Sequence, residues 1–389
     1  MKLIYISSLC SKNKYSELFA GSGSMPGMQA QKYNRLMAEG LAQNDGISLT
    51  ALSAAPVNRS NCKKLFFSEK DEVCGNITYK YIPFINLPVI KNLSLIFNSR
   101  RICKRLIKEN PDAAAVCDVL SLSASYGALK AIEKTGNKSA GIITDLPDFL
   151  KSGNNKAYMK LYEKTTSMCK SYVLMTEQMN KKINPDKKPY RVIEGQSDIS
   201  MISENNSIEN KFSKKICMYA GGIEEEYGLK ILAEGFAKAS IEGSELWIYG
   251  HGSYAEELKN FCKEHPTVIY KGLAPNDEIV KTEQKAWLLI NPRPSSGEFT
   301  EYSFPSKNLE YMASGTPLLA AKLPGMPDEY KDYIYIVANE SADGIAECLT
   351  EILGKSAEEL YEKGALAKEF VLKRKNNTVQ AGKVLELLV

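Results

Sequence analysis

Histidine is scarce in this 389-residue chain, with only His251 and His265 present. Chemistry that shuttles protons between imidazoles has little to draw on here. The nine cysteines are scattered and odd in number, and no two stand as C-x-x-C. That argues against a disulfide framework or a zinc site and suits reduced thiols in a cytoplasm. No apolar run approaches the roughly 18 residues that a transmembrane helix needs. The opening "MKLIYISSLCSKNK" lacks a small-residue cleavage site and reads as a first strand, not a signal peptide. The expected location is cytoplasmic, at most peripheral at the inner face of the plasma membrane. Charge of one sign is also missing: the net value is +4, far below what a dedicated nucleic-acid binder concentrates.

What is present is alternation. At this length two domains are the leading expectation. Apolar runs such as "KLIYISSL", "ISLTALS", "AAAVCDV" and "SAGIIT" alternate with helical patterns in the first half. After the polar stretch "SDISMISENNSIENKFSKK" the series restarts with "KICMYAG", "ELWIYGHG", "TVIYKG", "AWLLINP", "TPLLAA" and "IYIVA". Strand–helix alternation implies parallel sheets covered by helices. The expected fold is therefore α/β, with two Rossmann-like domains, 1–198 and 199–375, and parallel sheets facing a central cleft.

Ligands of such sheets bind at strand carboxyl ends, so the loops there hold the candidates. Gly221-Gly222 follows a strand and precedes a helix, where backbone N–H groups can approach a phosphate; a plain tight turn explains the pair as well. Gly250 and Gly272 end the next two strands. Arg293, pinned between Pro292 and Pro294, is either a phosphate clamp or an ordinary loop arginine. In "EYSFPSKNLEYMASGTPLLA", Pro305 and Ser306 open a short helix that Gly315 closes. Lys307 then sits in the first turn with Glu310 on the same side. That pair is either a surface i,i+3 ion pair or, as the rigid frame of Pro305, Gly315 and Pro317 favours, a site for a nucleoside diphosphate, the lysine neutralising phosphate and the carboxylate accepting from the ribose diol.

On "YAGGIEEEYGLKILAEGF", "NPRP" and "FPSKNLEYMASGTPLL", the chain resembles glycosyltransferases of the GT-B architecture, family 4 retaining enzymes of bacterial polysaccharide and capsule synthesis. The resemblance implies that Glu310 binds the nucleotide ribose and that Gly221 and Gly222 form the paired-glycine loop. It implies that Gly23 and Gly27 lie in the N-terminal glycine-rich loop, and that the last helix, 376–389, docks back on the first domain. Two departures stand out. Tyr302, with Glu298 and Glu301 nearby, occupies the place of a glutamate that usually holds the donor sugar. Gly222 and Tyr227 stand where many members carry an Arg and a Lys. Phosphate binding then falls to Lys307 with Arg293, while Ser306 joins the nucleotide contacts and Asp145 reaches toward sugar or acceptor.

The resemblance also implies transfer of a hexose, with retention, from a nucleotide-diphosphate sugar (UDP preferred) to a saccharide or lipid-linked saccharide. No metal and no other cofactor is expected, in keeping with the lack of any Asp-x-Asp pair. Residues 91–108 carry six basic residues and no acidic one. On a helix, Leu95, Ile96, Ile102, Leu106 and Ile107 share one arc and the basic residues the other. That is either a contact with an anionic membrane or an ordinary core-packed helix. A catalytically weak nucleotide-sugar-binding partner subunit and an epimerase of the same architecture are the alternatives. A dinucleotide-dependent dehydrogenase fits poorly, because "GSGSMPG" departs from the G-x-G-x-x-G spacing.

Overall fold

The computed structural model describes residues 1–20, 26–203 and 205–389. The chain divides into two compact units: Met1–Gln196 with Asn377–Val389, and Ser197–Asn376.

In the first unit the strands are β1 (Lys2–Ser7), β2 (Ser48–Ser53), β3 (Phe66–Phe67), β4 (Glu72–Cys74), β5 (Ile77–Tyr81), β6 (Phe84–Ile85), β7 (Ala114–Asp118), β8 (Ser139–Ile143), β9 (Ser171–Leu174) and β10 (Tyr190–Val192). Eight of them form one sheet in the order β10-β9-β8-β7-β1-β2-β5-β4. Its pairings are parallel except β4 on β5. The inner strands are buried along their whole length, as parallel strands covered on both faces must be. β3 and β6 form a separate antiparallel ribbon.

Two close helix contacts shape this unit. Gly127, in helix Leu122–Ile132, packs under helix Ile90–Glu109; a Cβ there would lie 2.3 Å from the Ile96 carbonyl oxygen. Ser99 Oγ donates to Ala124 O at 2.6 Å across the same contact. The terminal helix Asn377–Leu385 lies on helix Met28–Gln43, where a Cβ on Gly40 would come 2.2 Å from Asn377 O. Asn377 Nδ2 donates to Leu36 O at 3.1 Å and Gln380 Nε2 to Gly195 O at 2.7 Å. These bonds satisfy buried backbone carbonyls that would otherwise cost free energy.

The second unit contains β11 (Lys215–Gly222), β12 (Ser244–His251), β13 (Val268–Gly272), β14 (Leu288–Asn291), β15 (Leu318–Ala321) and β16 (Tyr335–Val337). All pair in parallel in the order β13-β12-β11-β14-β15-β16. Strand order reverses between β11 and β14, which places the switch point between those two carboxyl ends. Helix Leu229–Ala239 buries Leu229, Leu232, Ala233 and Phe236 against the sheet, and full burial of a Leu or Phe side chain contributes about 1.5–3 kcal/mol. On the other side of the unit, Lys211 Nζ is sunk among Gln284 O, Ala286 O and Thr316 Oγ1 at 2.8–3.0 Å. Burial pulls its pKa down to about 7.

Candidate functional site

The paired glycines end β11, and sterics require them there. A Cβ on Gly221 would meet Lys307 Cε at 2.9 Å and the Tyr219 hydroxyl at 2.7 Å. A Cβ on Gly222 would sit 3.1 Å from the Tyr227 ring. The Tyr219 hydroxyl donates to Gly222 O at 2.8 Å and so pins the loop from below. Gly250 pairs with Gly221 across the β11–β12 ladder. With φ of +133° it lets the Gly221 carbonyl approach to 1.7 Å from where a Cβ would stand. Gly250 thus supports the glycine pair from the neighbouring strand. Gly272, with φ of +71° and open space around it, ends β13, two strands from β11.

The short helix runs from Ser306 to Ser314, with Gly315 in the left-handed region at its end. Pro305 at its cap position has no side-chain oxygen to offer, which leaves first-turn N–H groups for an anion. Two buried polar contacts hold this helix at the switch point. Asn291, the last residue of β14, donates through Nδ2 to Asn308 Oδ1 at 2.6 Å. The Tyr311 hydroxyl accepts from Ala220 N–H at 2.8 Å and donates to Ala220 O at 3.3 Å. One helix is thereby braced to the carboxyl ends of both β11 and β14. Tyr311 is wholly buried, and burial drives its hydroxyl pKa well above the usual tyrosine range.

Lys307 is half-buried, with Nζ 5.4 Å from the Tyr311 ring centre and 5.9 Å from that of Tyr219. Glu310 lies on the same helix and is also half-buried. Arg293 stacks over Phe299 at 4.6 Å and donates from Nη2 to Ser303 Oγ at 3.1 Å. Burial raises the pKa of the Tyr219 hydroxyl, and the positive charge of Arg293 opposes that rise. Tyr302 follows the turn Glu298–Glu301 and is half-buried, while Ser306 is exposed. The structure thus gathers Gly221, Gly222 and Lys307 around Tyr219, with Gly250 behind them.

The remaining candidates belong to the first unit. Gly27, at φ +66°, opens helix Met28–Gln43; Gly23 lies outside the described residues. Asp145 is exposed just beyond β8. Residues that the sequence reading missed stand beside it. Asp118 ends β7 fully buried, accepting from Leu120 N–H, Ser121 Oγ and Asn34 Nδ2. Burial raises its pKa and those bonds hold the rise back. The Tyr33 hydroxyl is enclosed nearby, its pKa raised by burial and then by the Asp118 and Asp145 charges. An acidic residue closing an apolar run, as in "AAAVCD", was the signal available for Asp118.

Residues 214–355 match the family model described as glycosyl transferases group 1. The matched segment makes up little more than a third of the chain. It contains the glycine pair, the Pro-Arg-Pro turn and the braced helix. The Bacillus subtilis (strain 168) teichuronic acid biosynthesis glycosyltransferase TuaH is 22% identical over 224 residues. The match covers 56% of each protein, so the chain spans little more than half that relative's length. Sucrose-phosphate synthase from Thermosynechococcus elongatus superposes with a TM-score of 0.67 at 14% identity, covering 100% of this chain and 98% of that one. Anabaena HepE in complex with UDP gives 0.66 at 12% identity, covering 100% and 99%. The segment that matches the group 1 model therefore sits in a chain with the GT-B fold.

Proposed function

We propose that this protein is a retaining, metal-independent glycosyltransferase of cell-surface polysaccharide synthesis. It moves a hexose from a nucleotide-diphosphate sugar to a saccharide or lipid-linked saccharide. The observation that carries this reading is the helix Ser306–Ser314, braced through Asn308 and Tyr311 to both strand ends of the switch point. Such bracing fixes Lys307 above the glycine pair before any ligand arrives.

In the transfer the sugar–oxygen bond breaks through an oxocarbenium-like state while negative charge gathers on the departing diphosphate. Preorganised donors aimed at that charge lower the barrier. In this reading Lys307, Arg293 and the N–H groups of Gly221 and Gly222 supply them, and Glu310 accepts from the ribose diol. Tyr302 lines the sugar side. In the first unit, Asp145 serves the acceptor side. UDP is the preferred nucleotide, supported by the HepE complex with UDP among the similar structures.

Calorimetric titration with UDP, GDP and ADP in the presence of a chelator tests the donor reading. One nucleotide is expected to bind in the micromolar range, and Lys307→Ala and Glu310→Ala should each weaken it at least tenfold. Equal affinity in wild type and Lys307→Ala would overturn the phosphate assignment. Product formation that requires added manganese would overturn metal independence.

A further inference from the structure

The apolar arc of helix Ile90–Glu109 is spent on the fold. Leu95, Cys103, Leu106 and Ile107 are buried, at 0–9% exposure. What stays outside is a different set, arranged along the helix instead of around it. Ile90, Leu93 and Phe97 follow one another at helical spacing on the exposed face, the last two at 62% and 67% exposure. Arg100, Arg101, Lys104 and Lys108 continue the same stripe, all exposed. The outer face is thus apolar in its first half and basic in its second. Over 20 residues it extends about 30 Å.

The β3–β6 ribbon adds to the apolar end. Strand alternation turns Phe67 and Phe84 inward, where they stack at 4.9 Å. It turns their neighbours Phe66 and Ile85, a cross-strand pair, outward at 60% and 38% exposure. Ile85 N–H donates to Ser94 Oγ at 3.2 Å, and Asn98 Nδ2 donates to Pro83 O at 2.9 Å, so ribbon and helix form one surface. Val89, at the bend between them, is 72% exposed with a positive φ of +65°, which a β-branched residue adopts only under strain. Lys63 and Lys64 stand exposed beside Leu65 and Phe66.

We propose that this surface docks on an anionic lipid bilayer. Large apolar side chains would enter the acyl boundary while the basic half of the helix meets headgroup phosphates. The charge selects this occupant: the stripe's exposed charges are all positive, so a second copy seated on the same patch would set two basic rows against each other. The surface lies wholly in the first unit and its test needs no nucleotide, so it stands or falls apart from the donor reading.

The full chain should co-sediment at low salt with vesicles of phosphatidylcholine and phosphatidylglycerol, and not with phosphatidylcholine alone. Each basic residue at such a surface contributes about a fivefold factor in partition, so Arg100→Gln/Arg101→Gln/Lys104→Gln should weaken binding on the order of a hundredfold. Leu93→Ser/Phe97→Ser should abolish the part of binding that resists added salt. In Phe97→Trp, emission should shift to the blue and be quenched by brominated lipid, while Trp247 and Trp287 are not. Circular dichroism and the thermal unfolding midpoint, unchanged in every variant, report that the chain has folded. Absence of wild-type binding to anionic vesicles would overturn the proposal, as would binding that survives both sets of changes. Light scattering that shows a dimer split by Leu93→Ser/Phe97→Ser would assign the patch to self-association instead.

Discussion

At the scale of single residues, the candidate donor site depends on a few atoms that permit close approach. Gly221, Gly222 and Lys307 were legible in the sequence because their signals are local: a glycine pair after an apolar run, a Pro-Ser-Lys opening before a helix. Tyr311 and Asn308 were not. Their partners, Ala220 and Asn291, stand 91 and 17 positions away, and no periodicity announces such pairs. Tyr311→Phe tests the brace. It keeps the ring but strands the buried Ala220 N–H, which costs about 1–3 kcal/mol. Urea unfolding of the second unit should shift by that amount, and nucleotide affinity should fall although no group proposed to touch the ligand has changed. An unchanged affinity would mean that Lys307 is placed without the brace.

Elements were read well where alternation dominates and poorly where coverage decides. The long apolar runs are strands, whereas the short β3, β4, β6 and β10 carry too few residues to show a period. Helix Ile90–Glu109 shows the second limit. Periodicity identifies an apolar arc but cannot say what covers it, and here the first unit's own core does. Gly127 and Ser99 make that contact close. A buried lysine gives a prediction for the second unit. Lys211 has its pKa pulled down by burial to about 7. Between that value and the ordinary lysine range, the unfolded chain binds the extra proton, so folding gains stability as pH rises through the window. Stability of the second unit should therefore increase from neutral to mildly alkaline pH in wild type. It should change less in Lys211→Met, measured by denaturant unfolding at each pH. Identical slopes would show that the three acceptors around Nζ keep the ammonium charged.

For the whole molecule, the division is discontinuous in sequence: the first unit is completed by Asn377–Val389. The resemblance implied that this helix returns, and Gly40, Asn377 and Gln380 supply the physical reason. Asn377, Gln380, Ala381 and Val384 are all buried there. A chain shortened to end at Asn376 should consequently lose stability in its first unit. Limited proteolysis should then leave the fragment Ser197–Asn376 as the resistant product. Survival of an intact first unit would show that the helix is dispensable.

The same discontinuity has a consequence in time. A ribosome making this chain finishes β1 to β10 early, yet the piece that seats on Gly40 emerges only after roughly 180 further residues, Ser197–Asn376. At about 5–20 residues per second that delay is on the order of ten to forty seconds. During it, the nascent first unit presents an open seam to the cell. The seam closes only once the second unit has been synthesised, so chains terminated within that unit carry an exposed mark that longer ones do not.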